Sequence, residues 1–168
     1  SGTDPDTAAG LATAAASGDG LLAIAQYDAN PGGTPSFTAN GTFFDVYAAP
    51  ENTFNLVTIT ACGMSASEKL LWWDLEQGKW QKASPQSYDQ ASGCVTLIVD
   101  ASSSPSLSQL QGTFFALGIV PNEAPTANPA GSYLAAVNTD LAFDGSGSSD
   151  EDGDPLTYAI VTNGTRGS

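Results

Sequence analysis

Leu56-Val57-Thr58-Ile59-Thr60-Ala61-Cys62 alternates apolar and hydroxylated side chains, and Cys94-Val95-Thr96-Leu97-Ile98-Val99 repeats the pattern further along. A period of two marks a strand with one face on a core. Val57 and Ile59, and likewise Val95, Leu97 and Val99, are predicted to point inward, with the threonines on the other face. Cys62 shares the parity of Thr58 and Thr60, and Cys94 that of Thr96, so both thiols are predicted to leave the core side. With two cysteines in the chain, no Cys-x-x-Cys pair and no partner ligands for a metal, the expectation is one disulfide stapling adjacent strand ends.

Around these two segments the punctuation is that of an all-β domain, short β-branched or aromatic runs separated by Gly, Pro, Asn and Ser. Strands are predicted near 21–27, 42–48, 54–61, 70–75, 80–82, 94–100 and 113–119. That number of strands at this spacing indicates a β-sandwich of jelly-roll or Ig-like type over residues 21–120. Before it, Ala8-Ala9-Gly10-Leu11-Ala12-Thr13-Ala14-Ala15-Ala16 has helix propensity with only Leu11 to bury. Residues 1–20 are therefore expected to be a flexible arm, or one exchanged with another subunit. The chain opens on Ser1 without the pattern of a leader, and the expectation is that any signal peptide has been removed.

Composition narrows the function classes. The 168 residues carry 18 acidic and 4 basic side chains, a formal net charge of −14, which disfavours nucleic acid and anionic membranes as partners. Cations become the natural ligands. Histidine is absent, which excludes Ser-His-Asp and Cys-His catalysis and imidazole metal sites. Apolar runs reach about five residues, against roughly 20 for a membrane span. The predicted disulfide, Thr- and Ser-rich strands and the sequons at Asn40 and Asn163 fit a secreted or cell-surface protein.

Val120-Pro121-Asn122-Glu123-Ala124-Pro125-Thr126 breaks the pattern, and 121–126 is read as a stiff linker. Beyond it, strand signals lie around 133–137, 139–144 and 156–161. The large residues available there for a core are Tyr133, Val137, Leu141, Phe143, Leu156, Tyr158 and Ile160. A unit of about forty residues without a disulfide is too small to be stable alone. Six acids fall within residues 140–154, and Asp150-x-Asp152-Gly153-Asp154 sets alternating carboxylates beside a glycine turn. Such density is relieved by a hard cation, and calcium takes six to eight oxygens. An EF-hand is excluded, because the glutamate at its twelfth position and the paired helices are missing.

Asn122-Glu123-Ala124-Pro125-Thr126-Ala127, followed by Leu141-Ala142-Phe143-Asp144-Gly145-Ser146-Gly147-Ser148-Ser149-Asp150-Glu151-Asp152-Gly153-Asp154-Pro155-Leu156-Thr157-Tyr158, resembles the first half of a PKD or cadherin-like repeat. The resemblance implies a partial Ig-like unit over 127–168 and a calcium ion held by Asn122, Glu123, Asp150, Asp152 and Asp154. Such repeats need about eighty residues or more, and the return strands are missing. Residues 21–119 also resemble a β-sandwich module of bacterial repeat-containing surface proteins, through Gly41-Thr42-Phe43-Phe44-Asp45-Val46-Tyr47, Leu71-Trp72-Trp73-Asp74 with Trp80, and Gly93-Cys94-Val95-Thr96. That second likeness implies a β-sandwich building block and brings no activity to carry over.

Other constellations are weaker. Leu71, Trp73 and Leu75 read as a buried set, which leaves Trp72 to pair with Trp80 across the Glu76-Gln77-Gly78 turn, as a structural pair or a platform for sugar rings. Asp45, Asp74 and Glu76 are the acids for a glycosidase pair, without a spacing that brings them together. Lys69, Lys79 and Lys82 are expected to be solvated.

The expectation is a non-enzymatic extracellular structural or adhesive module with a calcium-rigidified joint. Its partners would be copies of itself or neighbouring repeats. The incomplete second unit suggests a filament or surface-layer subunit assembled by strand complementation. The alternative is a carbohydrate-binding module with glycan partners.

Overall fold

The computed structural model describes residues 6–130, 133, 134, 136, 139–150 and 155–159. It divides into a unit reaching Pro121 and a second from Asn122. In the first, ten strands run in chain order: β1 (Asp6–Ala9), β2 (Ala12–Ser17), β3 (Leu22–Tyr27), β4 (Thr38–Ala48), β5 (Leu56–Cys62), β6 (Lys69–Asp74), β7 (Lys79–Lys82), β8 (Gln86–Asp89), β9 (Cys94–Val99) and β10 (Gln111–Ile119). Two five-stranded sheets, ordered β1-β2-β5-β9-β8 and β3-β4-β10-β6-β7, form an all-β sandwich in which every strand pair is antiparallel.

The alternation read from the sequence positions the core. Val57, Ile59, Val95, Leu97 and Val99 are all buried, and across the sandwich they meet Phe44, Leu70, Trp72, Phe115 and Leu117. Phe44 and Phe115 stack with centroids 5.3 Å apart. Cys62 pairs in register with Cys94, and the two are joined by a disulfide. The Cys62 amide donates to the Leu11 carbonyl on the other side of β5. This places the cysteines in a non-hydrogen-bonded pair, where facing strands approach most closely.

The amino-terminal segment departs from the expected arm. Residues 6–17 form the β1–β2 hairpin, and β2 pairs with β5 along its whole length. Ala12, Ala14 and Ala16 are buried while Leu11 is exposed. Alternation thus overrides the helix propensity of alanine: the small methyls let β2 lie close on the core, and their period is two. Gly10 makes the turn with a φ of +58°, and a Cβ there would lie 1.8 Å from the Gln26 side chain.

The tryptophans correct a second expectation. Trp73, not Trp72, stands opposite Trp80, because the β6–β7 turn spans Leu75 to Gly78, one residue more than the sequence reading allowed. A slip of one residue exchanges the faces of a strand. Trp72 and Leu70 enter the inter-sheet core, Leu71 and Trp73 pack on the outer side of their sheet, and Leu75 is 73% exposed.

That outer side holds a second apolar cluster of Phe37, Phe43, Leu71, Trp80 and Ala116, with Trp73 and Phe114 packed against it. The loop between β3 and β4 crosses it as a strap. Asn30 shapes the strap, its Oδ1 accepting from the Gly32 amide and its Nδ2 donating to the Gly33 carbonyl, both at 2.9 Å. A Cβ on Gly33 would lie 2.4 Å from the Trp73 ring, so glycine is required for this approach.

In the second unit the described residues contain no strand. A single bridge pairs Thr126 with Ser149, through amide-to-carbonyl bonds of 2.8 and 3.1 Å. The strands expected around 133–137, 139–144 and 156–161 are absent from their described residues. Of the expected core residues, Phe143 and Tyr158 are more than 60% exposed, while Val137 and Ile160 lie outside the described residues.

Candidate functional site

The acidic turn of the second unit is built around Asp144. Its carboxylate accepts from the Ser146 amide at 2.8 Å, and the serine side chain together with this amide holds its pKa below the usual carboxylate range. The Tyr133 hydroxyl accepts from the Asp144 amide at 2.8 Å and donates to the Pro129 carbonyl at 2.5 Å, with its ring edge-on to Phe143 at 5.0 Å. Asn128 donates its amide to Ser148 Oγ at 3.0 Å. Together with the Thr126–Ser149 bridge, these bonds set the lead-in segment directly beside the turn. An open cleft of about 730 Å³ borders them, lined by Pro129, Tyr133, Phe143, Asp144, Ser146 and Tyr158 among others.

Of the residues expected to hold calcium, Asn122 donates through Nδ2 to the Glu123 carbonyl at 3.2 Å, and Glu123 and Asp150 both have interactions of their own. Asp152 and Asp154 lie outside the described residues, as does Asn163. Among the described residues, no group of three or more His, Cys, Asp or Glu side chains is placed to hold a metal ion.

Five carboxylates of the first unit, those of Asp45, Glu68, Asp74, Asp89 and Asp100, accept hydrogen bonds within the fold. Asp74, 4% exposed, accepts through Oδ1 from the Glu76 and Gln77 amides at 2.9 and 3.1 Å and through Oδ2 from Gln81 at 2.5 Å. Asp45 accepts from the Ala25 amide at 3.1 Å and from the Tyr27 hydroxyl at 2.9 Å. The hydrogen bond to this carboxylate pushes the Tyr27 pKa up. Asp45 follows the parity of Phe43 and Asp74 that of Trp72, so these two carboxylates occupy opposite faces of one sheet.

Asp89, Asp100 and Glu68 close their own loops. Ser92 Oγ donates to Asp89 at 2.7 Å, the Ser102 amide to Asp100 at 2.7 Å, and the Ser65 amide to Glu68 at 2.7 Å. Each of these contacts holds the carboxyl pKa below its ordinary value. Lys69 reaches the Ala66 carbonyl at 3.5 Å, and Lys79 is exposed.

The indoles proposed for sugar stacking are enclosed. Trp72 is 3% exposed with its Nε1 donating to Ser104 Oγ at 3.2 Å, and Trp80 is 6% exposed with its Nε1 donating to the Gly33 carbonyl at 2.8 Å. Trp80 instead meets Trp73 and Phe37, each at 5.6 Å. Asn40 is exposed where β4 begins. Its Oδ1 accepts from the Thr42 amide at 2.9 Å and its Nδ2 donates to Glu68 at 2.8 Å.

One arrangement was not foreseen from the sequence. Thr13, Thr60, Thr96 and Ser87 align as a row across β2, β5, β9 and β8. The threonine parity was readable for β5 and β9, but reading β2 as an arm and overlooking β8 hid the rest. No protein-family profile matches the chain, and comparisons with curated proteins and with solved structures return no match.

Proposed function

We propose that this chain is a non-enzymatic structural and adhesive module of a secreted or cell-surface protein, working with copies of itself or neighbouring repeats in a filament or surface layer. The observation that carries this reading is the use made of the carboxylates. Asp45, Asp74, Asp89, Asp100 and Glu68 each accept hydrogen bonds from their own turn or an adjacent strand, so they stiffen the module instead of converging on a substrate. The Cys62–Cys94 disulfide supports an oxidising location.

Calcium is the cation proposed for the second unit, held by Asn122, Glu123, Asp150, Asp152 and Asp154. The likeness of 122–158 to a PKD or cadherin-like repeat supports this assignment. So does the Thr126–Ser149 bridge, which ties the lead-in segment to the acidic turn. When bound, the ion would supply charge neutralisation and stiffen that segment. The carbohydrate-binding alternative draws less support, since Trp72 and Trp80 offer no open ring face.

Thermal unfolding with millimolar calcium or with chelator tests the proposal. The expected result is a higher Tm with calcium, lost in Asp152→Ala, with a size set by affinity through mass action. An unchanged Tm removes the calcium part. Turnover of any polysaccharide in a hydrolysis panel overturns the non-enzymatic part.

A further inference from the structure

The outward side chains of the three central strands β2, β5 and β9 carry no charge. They are threonine, alanine, serine, leucine, isoleucine and the two disulfide-bonded cysteines. The row of Thr13, Thr60, Thr96 and Ser87 is flanked by a second of Ala15, Thr58 and Ile98. Among the described side chains an acid enters at the rim, where Asp89 on β8 stands in register with the outward Cys94. The opposite sheet differs: its outer side carries Asp45, Lys69 and Lys82 and is crossed by the β3–β4 strap.

In a chain with a formal net charge of −14, bringing two copies together sets carboxylates against carboxylates over most approaches. Between two first units, approach through the neutral face sets the fewest carboxylates against one another. Its side chains are short, and sheets with short side chains stack face to face at about 10 Å. We propose that copies of this chain associate through this face, β2-β5-β9 against β2-β5-β9 about a two-fold axis.

Strand and residue spacings over these three strands give a patch of roughly 15 by 20 Å, on the order of 300 Å² per copy. A stable complex buries about 800 Å² per partner. The contact is therefore weak for two free chains and accumulates where many copies are held side by side. Because the remaining charges repel, association strengthens as salt screens them.

This inference rests on the structural-module reading and names the surface that its self-partnering uses. The test is sedimentation velocity on the 168-residue chain from micromolar to millimolar concentration, at low and high sodium chloride, without calcium. The expected result is concentration-dependent self-association that rises with salt. Thr60→Glu and, at a more exposed position, Thr13→Glu weaken it about tenfold or more while leaving Tm near that of the parent chain. Ala25→Glu, on the other sheet, leaves it unchanged.

A chain that stays monomeric at every concentration and salt overturns the proposal, as does association indifferent to both threonine variants. Binding to a polysaccharide that Thr60→Glu abolishes in a monomeric chain assigns the face to glycan and also overturns it. Calcium-dependent stabilisation of a monomeric chain would sink the stacking while leaving the module reading in place.

Discussion

Asp74 holds Gln81 across the β6–β7 hairpin, its Oδ2 accepting from the amide at 2.5 Å while its Oδ1 accepts from two turn amides. One nearly buried carboxylate thus fixes both the turn and the register that sets Trp73 against Trp80. Asp74→Ala removes these acceptors and leaves their donors short of partners. The expected loss is about 2–3 kcal/mol. Urea unfolding of the variant reads it, and Asp74→Asn, which keeps one acceptor oxygen, should fall between the two.

Gly33 lies so close to Trp73 that a methyl group has no room. Gly33→Ala should lift the strap from the indoles at a cost of about 1–3 kcal/mol. Increased quenching of tryptophan fluorescence by acrylamide checks it, while an unchanged quenching profile would show that the strap tolerates the methyl group.

The disulfide closes a loop with a sequence separation of 32. Replacing both cysteines by serine should lower stability by about 3–4 kcal/mol on the chain-entropy account. Equilibrium denaturation of the double variant beside the oxidised parent is the measurement.

Acid stability follows from the turn-capping carboxylates. Glu68, Asp89, Asp100 and Asp144 all titrate below their ordinary values in the folded chain, held down by amide and hydroxyl donors. The unfolded chain therefore takes up protons first as pH falls. Their contribution is whole above the ordinary carboxylate value of about 4 and is lost as pH drops through the lower folded values.

Tyr27 has the opposite sign. Its folded pKa is raised by the Asp45 hydrogen bond, so its contribution is whole below the ordinary tyrosine value of about 10 and is lost as pH climbs through the folded one. Melting curves across both limits should decline at each end, and Tyr27→Phe should flatten the alkaline one.

Much of the sandwich was legible because aliphatic and hydroxylated residues alternate cleanly in β5 and β9, and because Cys62 and Cys94 keep the threonine parity. The β1–β2 hairpin was not, since alanine signals helix on its own and becomes a strand residue only when β5 offers a ladder. The turn after Asp74 hid the tryptophan register: its length is set by the carboxylate cap, which no spacing rule announces. In the second unit, local composition was enough to suggest strands at 139–144, yet the described residues form only the Thr126–Ser149 bridge. The acidic turn was readable as a cluster, whereas its bonding to Asn128 and Tyr133 depends on chain path.

The three tryptophans divide between the two sides of one sheet, Trp72 inward and Trp73 with Trp80 beneath the strap. Intrinsic emission therefore carries two separable signals. With Trp72 exchanged for phenylalanine, the remaining fluorescence follows the strap alone; with Trp73 and Trp80 exchanged, it follows the interior. A single spectrometer can then ask whether the outer covering melts before the body of the sandwich does.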